Sequence, residues 1–150
     1  MLEISEQAPR FTLPDQTGKP VSLQGLLENG PLVLYFYPAD FTPGCTREAC
    51  AIRDLHGELV AAGLKVAGIS PQGTESHQRF AEKYQLPFLL LSDVGKAVIV
   101  DYGVNGPLGF GVRRATFLID QDGIIRDAVL ADLRIGQHEE FIHQAIALQA

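Results

Sequence analysis

The two cysteines of this 150-residue chain, Cys45 and Cys50, lie five positions apart, and the tripeptide Thr42-Pro43-Gly44 stands immediately before the first. Threonine is a good helix N-cap and proline is favoured at the first helical position, so the run predicts a helix start with Cys45 in its first turn. Unpaired backbone N–H groups and the positive end of the helix dipole favour an anion there. A thiol so placed is favoured as the thiolate, the nucleophilic form. An isolated cysteine is more often an inert core residue; the Thr-Pro-Gly start sets Cys45 apart from that case. Cys50 reads two ways. On an intact helix the two Cα atoms are roughly 8 Å apart and about 140° around the axis. A disulfide needs about 4.4–6.8 Å, so the pair cannot bond while the helix is wound. Cys50 is either a small core residue beside Ala49 and Ile52 or a second redox thiol that requires local unwinding. Spacing alone does not choose.

The remaining chemistry-bearing residues say less. His138 and His143 are five apart and miss the i,i+4 spacing of a helical metal pair, while His56 and His77 have no partner nearby in sequence. Cys45, Cys50 and His56 lack a fourth zinc ligand. All four histidines are therefore expected at the surface, with neither metal nor other cofactor. The glycine-dense stretch from Gly103 to Gly111 lacks both GxGxxG and GK[ST]. It reads as a mobile loop leading to Arg113 and Arg114 rather than as a phosphate cradle.

Composition narrows the partners. With 12 Lys+Arg against 18 Asp+Glu the formal charge is −6, and no basic stripe suits a phosphate backbone, so nucleic acid is excluded as a partner. The strongest apolar run, Leu32 to Tyr37, is strand-length, far short of the ~20 residues of a membrane helix. Met1 to Glu6 is acidic where a signal peptide is basic, so a cytoplasmic protein with no membrane partner is expected. Two cysteines in a reducing compartment point to redox or nucleophilic use rather than to a disulfide scaffold.

The elements that must position these residues alternate. Residues 11–14 and 20–23 flank a Gln16-Thr17-Gly18-Lys19 turn and predict a short N-terminal hairpin. Leu32 to Tyr37 lacks polar alternation, as a central strand covered on both faces does. A helix follows over about 47–62, with Ile52, Leu55 and Leu59 on one face and Gly63 as its C-terminal glycine. Next come a strand over 64–69, a helix over 74–85, a strand over 88–91 and a short helix over 93–100 capped by Ser92 or Asp93. Strands over 115–120 and 124–130 flank the hairpin turn Gln121-Asp122-Gly123. A helix over 139–148, with two glutamates in its first turn, closes the chain. This pattern predicts one α/β domain over 1–150, with a mixed central sheet and helices on both faces.

Pro38-x3-Thr42-x2-Cys45 resembles the active-site signature of the peroxiredoxins. The longer Phe-Tyr-Pro-x-Asp-Phe-Thr-Pro-Gly-Cys-Thr-x-Glu-Ala-Cys run looks like their bacterioferritin-comigratory, or Q-type, subfamily. Residues 8–15 and 114–120 extend the likeness to nearly the whole chain; Ala39 and the loop from Asn105 to Val112 depart from it. The resemblance implies a thioredoxin-like fold and a thiol peroxidase acting on hydrogen peroxide or alkyl hydroperoxides. It further implies Cys45 as the peroxidatic cysteine and Cys50 as the resolving one, closing an intramolecular disulfide. Arg114 matches the arginine that stabilises the thiolate, with Arg113 a rival one residue out of register. Thr42 matches the hydroxyl that bonds thiolate and peroxide, and Pro38 the residue that shields the thiol. Glu48 either orients the arginine, as in the family, or is a solvated first-turn glutamate; the two readings weigh equally. The implied partner is thioredoxin or a similar dithiol reductant, and the implied assembly is a monomer or weak homodimer. The alternative is a peroxide sensor or thiol-oxidising adaptor of low turnover.

Overall fold

A computed structural model describes residues 1–109 and 111–149. Strands β1 (Thr12–Pro14) and β2 (Pro20–Ser22) pair antiparallel as the expected N-terminal hairpin. Asp15 closes its turn by accepting from the N–H groups of Thr17 and Lys19. The single turn α1 (Leu23–Leu26) follows, capped by the Ser22 hydroxyl, which accepts from Gly25 N–H.

Next in the chain are β3 (Leu32–Phe36), α2 (Pro43–Ala61), β4 (Lys65–Ser70), α3 (Thr74–Tyr84) and β5 (Leu89–Ser92). Then come α4 (Ala97–Asp101), β6 (Ala115–Ile119), β7 (Ile125–Leu130) and α5 (Ile135–Leu148). The main sheet has the order β5-β4-β3-β6-β7, with β3, β4 and β5 parallel to one another and β6 antiparallel to both its neighbours, β3 and β7. β3 lies at its centre, buried throughout. Its side chains divide with the two-residue period of a strand. Leu32, Leu34 and Phe36 join one apolar cluster with α1 and α4, whereas Val33, Tyr35 and then Tyr37 join another with α2, α3 and α5. The mixed sheet with helices on both faces is therefore present. Among the described residues no helix is long and apolar enough to cross a membrane.

Helix α2 begins at Pro43, with Thr42 as its N-cap residue, and so contains both cysteines. At its far end Gly63 takes φ +76°, and Leu64 N–H reaches back to the Leu59 carbonyl at 2.9 Å, the helix stop expected of that glycine.

Three expectations need correction. The short helix starts at Ala97 rather than 93, because Lys96 takes a left-handed φ of +64° and breaks the helical path; Asp93 instead accepts from Ile99 N–H. Helix α5 starts at Ile135, one turn before the predicted position, which moves Glu139 and Glu140 out of its first turn. Finally, His77 and His138 are buried, 0% and 1% exposed, while His56 is half-buried and only His143 is exposed. Each buried ring falls on the apolar face of its helix, at positions i, i+3, i+4 and i+7: His77 with Phe80, Ala81 and Tyr84, and His138 with Phe141, Ile142 and Ala145.

The glycine-dense stretch is a loop containing one 3-10 turn, Pro107–Gly109. Lys96 Nζ donates to the carbonyls of Gly109 and Gly111, and Asn105 bridges to Val112. Phe110 lies outside the described residues.

Candidate active site

β3 ends at Phe36, Tyr37 and Pro38 carry the chain out of the sheet, and α2 returns over the same face. Cys45 is the third residue of α2 and is buried, 1% exposed, as an unpaired thiol. Its sulfur lies in the first helical turn, where backbone N–H groups have no intrahelical acceptor. Arg114, one residue before β6, reaches across and donates from Nη2 to Cys45 Sγ at 3.2 Å. Its Nη1 donates to Glu48 Oε1 at 2.7 Å. Arg113 points elsewhere, pairing with Asp132 at 2.8 Å in a half-exposed bridge. The same Asp132 accepts from Arg114 N–H at 3.0 Å, which fixes the backbone from which the buried guanidinium extends. Gly44 makes room for it: a side chain there would come within 3.2 Å of Arg114 Nη2 and 3.1 Å of Ile135 Cδ1.

Glu48 is buried, 1% exposed, so the solvated reading fails and the arginine-holding geometry is the one present. Cys45 and Glu48 are three apart on α2 and share a face. Burial pushes the Glu48 carboxyl up to about 7, against the pull of Arg114. Arg114 itself is raised, because the carboxylate and the sulfur together outweigh its own burial cost.

The rim differs in detail from expectation. Thr42 is the N-cap residue, but its exposed hydroxyl donates to the Ala39 carbonyl at 2.9 Å, neither capping α2 nor touching Cys45. Pro38 is half-buried at the end of the run leaving β3. Cys50 is half-buried and unpaired, on the same unbroken helix as Cys45. The structure thus brings Cys45, Arg114 and Glu48 together and leaves Cys50 separated by helical geometry.

Two clusters escaped the sequence reading. On the α3 side, Asp40 accepts from Tyr37 Oη at 2.6 Å and Ser76 Oγ at 2.7 Å, and lies 2.7 Å from His77 Nδ1. These bonds overcome burial and hold the Asp40 carboxyl below its usual range. On the α5 side, His138 lies with Nδ1 2.7 Å from Thr116 Oγ1 and Nε2 2.9 Å from the Ala131 carbonyl. Burial pushes the His138 pKa down. The helical periodicity that places each histidine on a buried face was the available signal; nothing in sequence spacing marked Asp40 as its partner. A cavity of about 520 Å³ opens far from Cys45, where Pro31, Leu64 and Lys65 mark the opposite end of the sheet.

Comparison with known proteins agrees with this geometry. The AhpC/TSA family model matches residues 4–128. A Coxiella burnetii protein named peroxiredoxin bcp is 44% identical over 143 residues, covering 91% of this chain and 93% of that protein. The chloroplastic peroxiredoxin Q of Sedum lineare is 50% identical over 120 residues, 79% of this chain, which spans only 63% of the plant protein. Among solved structures, the peroxidoxin BcpB of Mycobacterium tuberculosis superposes with a TM-score of 0.90 at 38% identity, covering 99% of this chain and 97% of that one. With a thiol at a helix start under a buried arginine, on a thioredoxin-like fold, the chain belongs to the AhpC/TSA family as a peroxiredoxin of the bacterioferritin-comigratory, Q-type subfamily, and so to the thiol peroxidases.

Proposed function

We propose that Cys45 is the peroxidatic cysteine of an enzyme that reduces hydrogen peroxide and alkyl hydroperoxides, and that Cys50 resolves it. The observation that carries this reading is the 3.2 Å contact from Arg114 Nη2 to Cys45 Sγ at the start of α2. The Cys45 thiolate attacks the terminal peroxide oxygen; an S–O bond forms, the O–O bond breaks, and the departing oxygen takes up a proton to leave as water or alcohol. Arg114 opposes the negative charge on sulfur beforehand and on the departing oxygen during the step. Thr42 and Pro38, at the rim, complete the peroxide pocket, and Glu48 holds the guanidinium.

The Cys45 sulfenic acid then condenses with the Cys50 thiol, releasing water and forming the disulfide. Helical geometry keeps the Cα atoms ~8 Å apart, so the first turns of α2 unwind for this step. Pro43 lacks a backbone donor and Gly44 is a poor helix former, which makes that end cheap to release. Thioredoxin or a similar dithiol protein returns both thiols. The enzyme acts as one domain in the cytoplasm, as a monomer or weak homodimer, in antioxidant defence.

The test is NADPH oxidation coupled through thioredoxin reductase and thioredoxin to peroxide. The parent sustains turnover, Cys45→Ser abolishes it because serine supplies no comparable anion at neutral pH, and Cys50→Ser gives one burst and stops. Substoichiometric consumption by the parent would favour a sensor. Full turnover by Cys50→Ser would return that residue to the core.

A further inference from the structure

Arg114 is one cation serving two acids. Its Nη2 contacts Cys45 Sγ and its Nη1 contacts Glu48 Oε1, with all three groups buried. A thiolate and a carboxylate around a single guanidinium leave one uncompensated negative charge away from water, which is costly. Among the described residues, the groups facing Glu48 offer no second cation. They are Cys45 on α2, Arg114 before β6, His138 on α5 and, from β3, the Tyr35 phenol, itself pushed up by burial and by Glu48.

His138 sharpens the conflict. A carbonyl oxygen only accepts, so the Ala131 contact at 2.9 Å assigns the ring proton to Nε2. The ring is neutral, since burial lowers its pKa, and Nδ1 therefore accepts from Thr116 Oγ1. That nitrogen lies 3.6 Å from Glu48 Oε2, and Oε2 is buried with no hydrogen-bond partner among the described residues. A bare, unpartnered carboxylate oxygen beside an electron-rich ring nitrogen is costly to bury; a proton on Oε2 removes that cost and the excess charge together.

We propose that Glu48 is the proton store of the site: it carries a proton while Cys45 is a thiolate and surrenders it when peroxide oxidises the sulfur. This inference rests on the peroxidatic assignment of Cys45. The balance is simple. Thiolate plus hydroperoxide gives sulfenic acid plus alkoxide or hydroxide; the Glu48 proton neutralises that departing anion, and Glu48 is left ionised, in sole possession of Arg114. Burial, working against the pull of Arg114, holds the carboxyl at about 7, and a neighbouring thiolate drawing on the same guanidinium raises it further. Slightly above pH 7 the carboxyl is therefore more protonated before oxidation than after it. Glu48 acts through charge and proton balance, as a positioning residue for the reaction rather than as a group that contacts peroxide.

The experiment is infrared difference spectroscopy, sulfenic acid minus reduced, of the full chain carrying Cys50→Ser at about pH 7.5, with one equivalent of hydrogen peroxide and mass spectrometry of the same sample. The expected result is loss of a protonated-carboxyl band and gain of a carboxylate band, both missing when Glu48→Gln is added. Proton uptake, read with an indicator dye, should be near zero in the Cys50→Ser protein and rise toward one per sulfenic acid with Glu48→Gln. An unchanged carboxyl region in a sample whose mass shows the added oxygen on Cys45 overturns the proposal. No added oxygen on Cys45 overturns the peroxidatic assignment instead. The Cys50→Ser spectrum decides even if the Glu48→Gln protein does not fold.

Discussion

Two buried carboxylate–histidine pairs flank the start of α2, and they are opposites. Asp40, on the α3 side, lies against Tyr37, Ser76 and His77, with both carboxylate oxygens engaged and its pKa lowered. Glu48, on the α5 side, has one oxygen on Arg114 and the other unpaired beside His138, and its pKa is raised to about 7. A buried acid whose bonds are all made is a clamp, because every change of state costs hydrogen bonds. A buried acid with one oxygen unpaired has a second state available to it. The chain thus fixes the segment leading out of β3 at Asp40, whereas Glu48 shares Arg114 with the sulfur proposed to change charge during reaction.

The largest effect expected outside the cysteines comes from the group that joins the adjustable side to the sulfur. Arg114→Ala should slow the reaction with peroxide by on the order of 10²–10³, the loss typical of removing one preorganised donor from a reacting anion. Arg113→Ala, whose partner Asp132 lies at the surface, should leave that rate nearly unchanged. Stopped-flow kinetics under single-turnover conditions measures both, and the reverse ranking would break the assignment of the arginines.

The clamp should show itself in stability. Asp40→Ala leaves His77, Tyr37 and Ser76 without their shared acceptor in the core and should cost about 3–5 kcal/mol in urea unfolding. Glu48→Gln keeps an acceptor for Arg114 and should cost clearly less. Equal losses would mean that the two pairs do the same job.

A smaller effect separates the pairs by pH. Asp40 is depressed in the fold, so its contribution is present above its unfolded value of 3.8 and is lost as pH falls through its folded value. Glu48 is raised, so its contribution is present below 4.5 and is lost as pH rises toward about 7. The stability difference between the parent and Asp40→Asn should therefore shrink on acidification. The difference between the parent and Glu48→Gln should move in the variant's favour between pH 4.5 and about 7. Urea unfolding from about pH 7 down to below pH 3.8 reads both signs.

Much of this could be read from residue order. The unbroken apolar run 32–37 fixed the central strand, Thr42-Pro43 the start of α2, and Gly63 its end, since each is a local signal with a local cause. Arg114 was legible only through the resemblance, because it lies 69 positions beyond Cys45. Glu48 stayed undecided because solvated and buried glutamates look alike until β6 and α5 cover one face of α2. Asp40 and His77 were missed for a related reason: they are 37 positions apart, and only the folded sheet brings α3 over the loop after β3. The helix starts at 97 and 135 were misplaced because left-handed Lys96 and non-capping Arg134 carry no compositional mark.

The central claim is that Cys45 takes the oxidation and that Cys50, out of reach on the wound helix, then bonds to it within the same chain. The direct measurement is mass spectrometry of the non-reduced, proteolysed protein after one equivalent of peroxide. The expected result is a loss of two hydrogens mapped to a Cys45–Cys50 link in a chain that migrates as before. Oxidation confined to Cys50, or a link only between two chains, would contradict it.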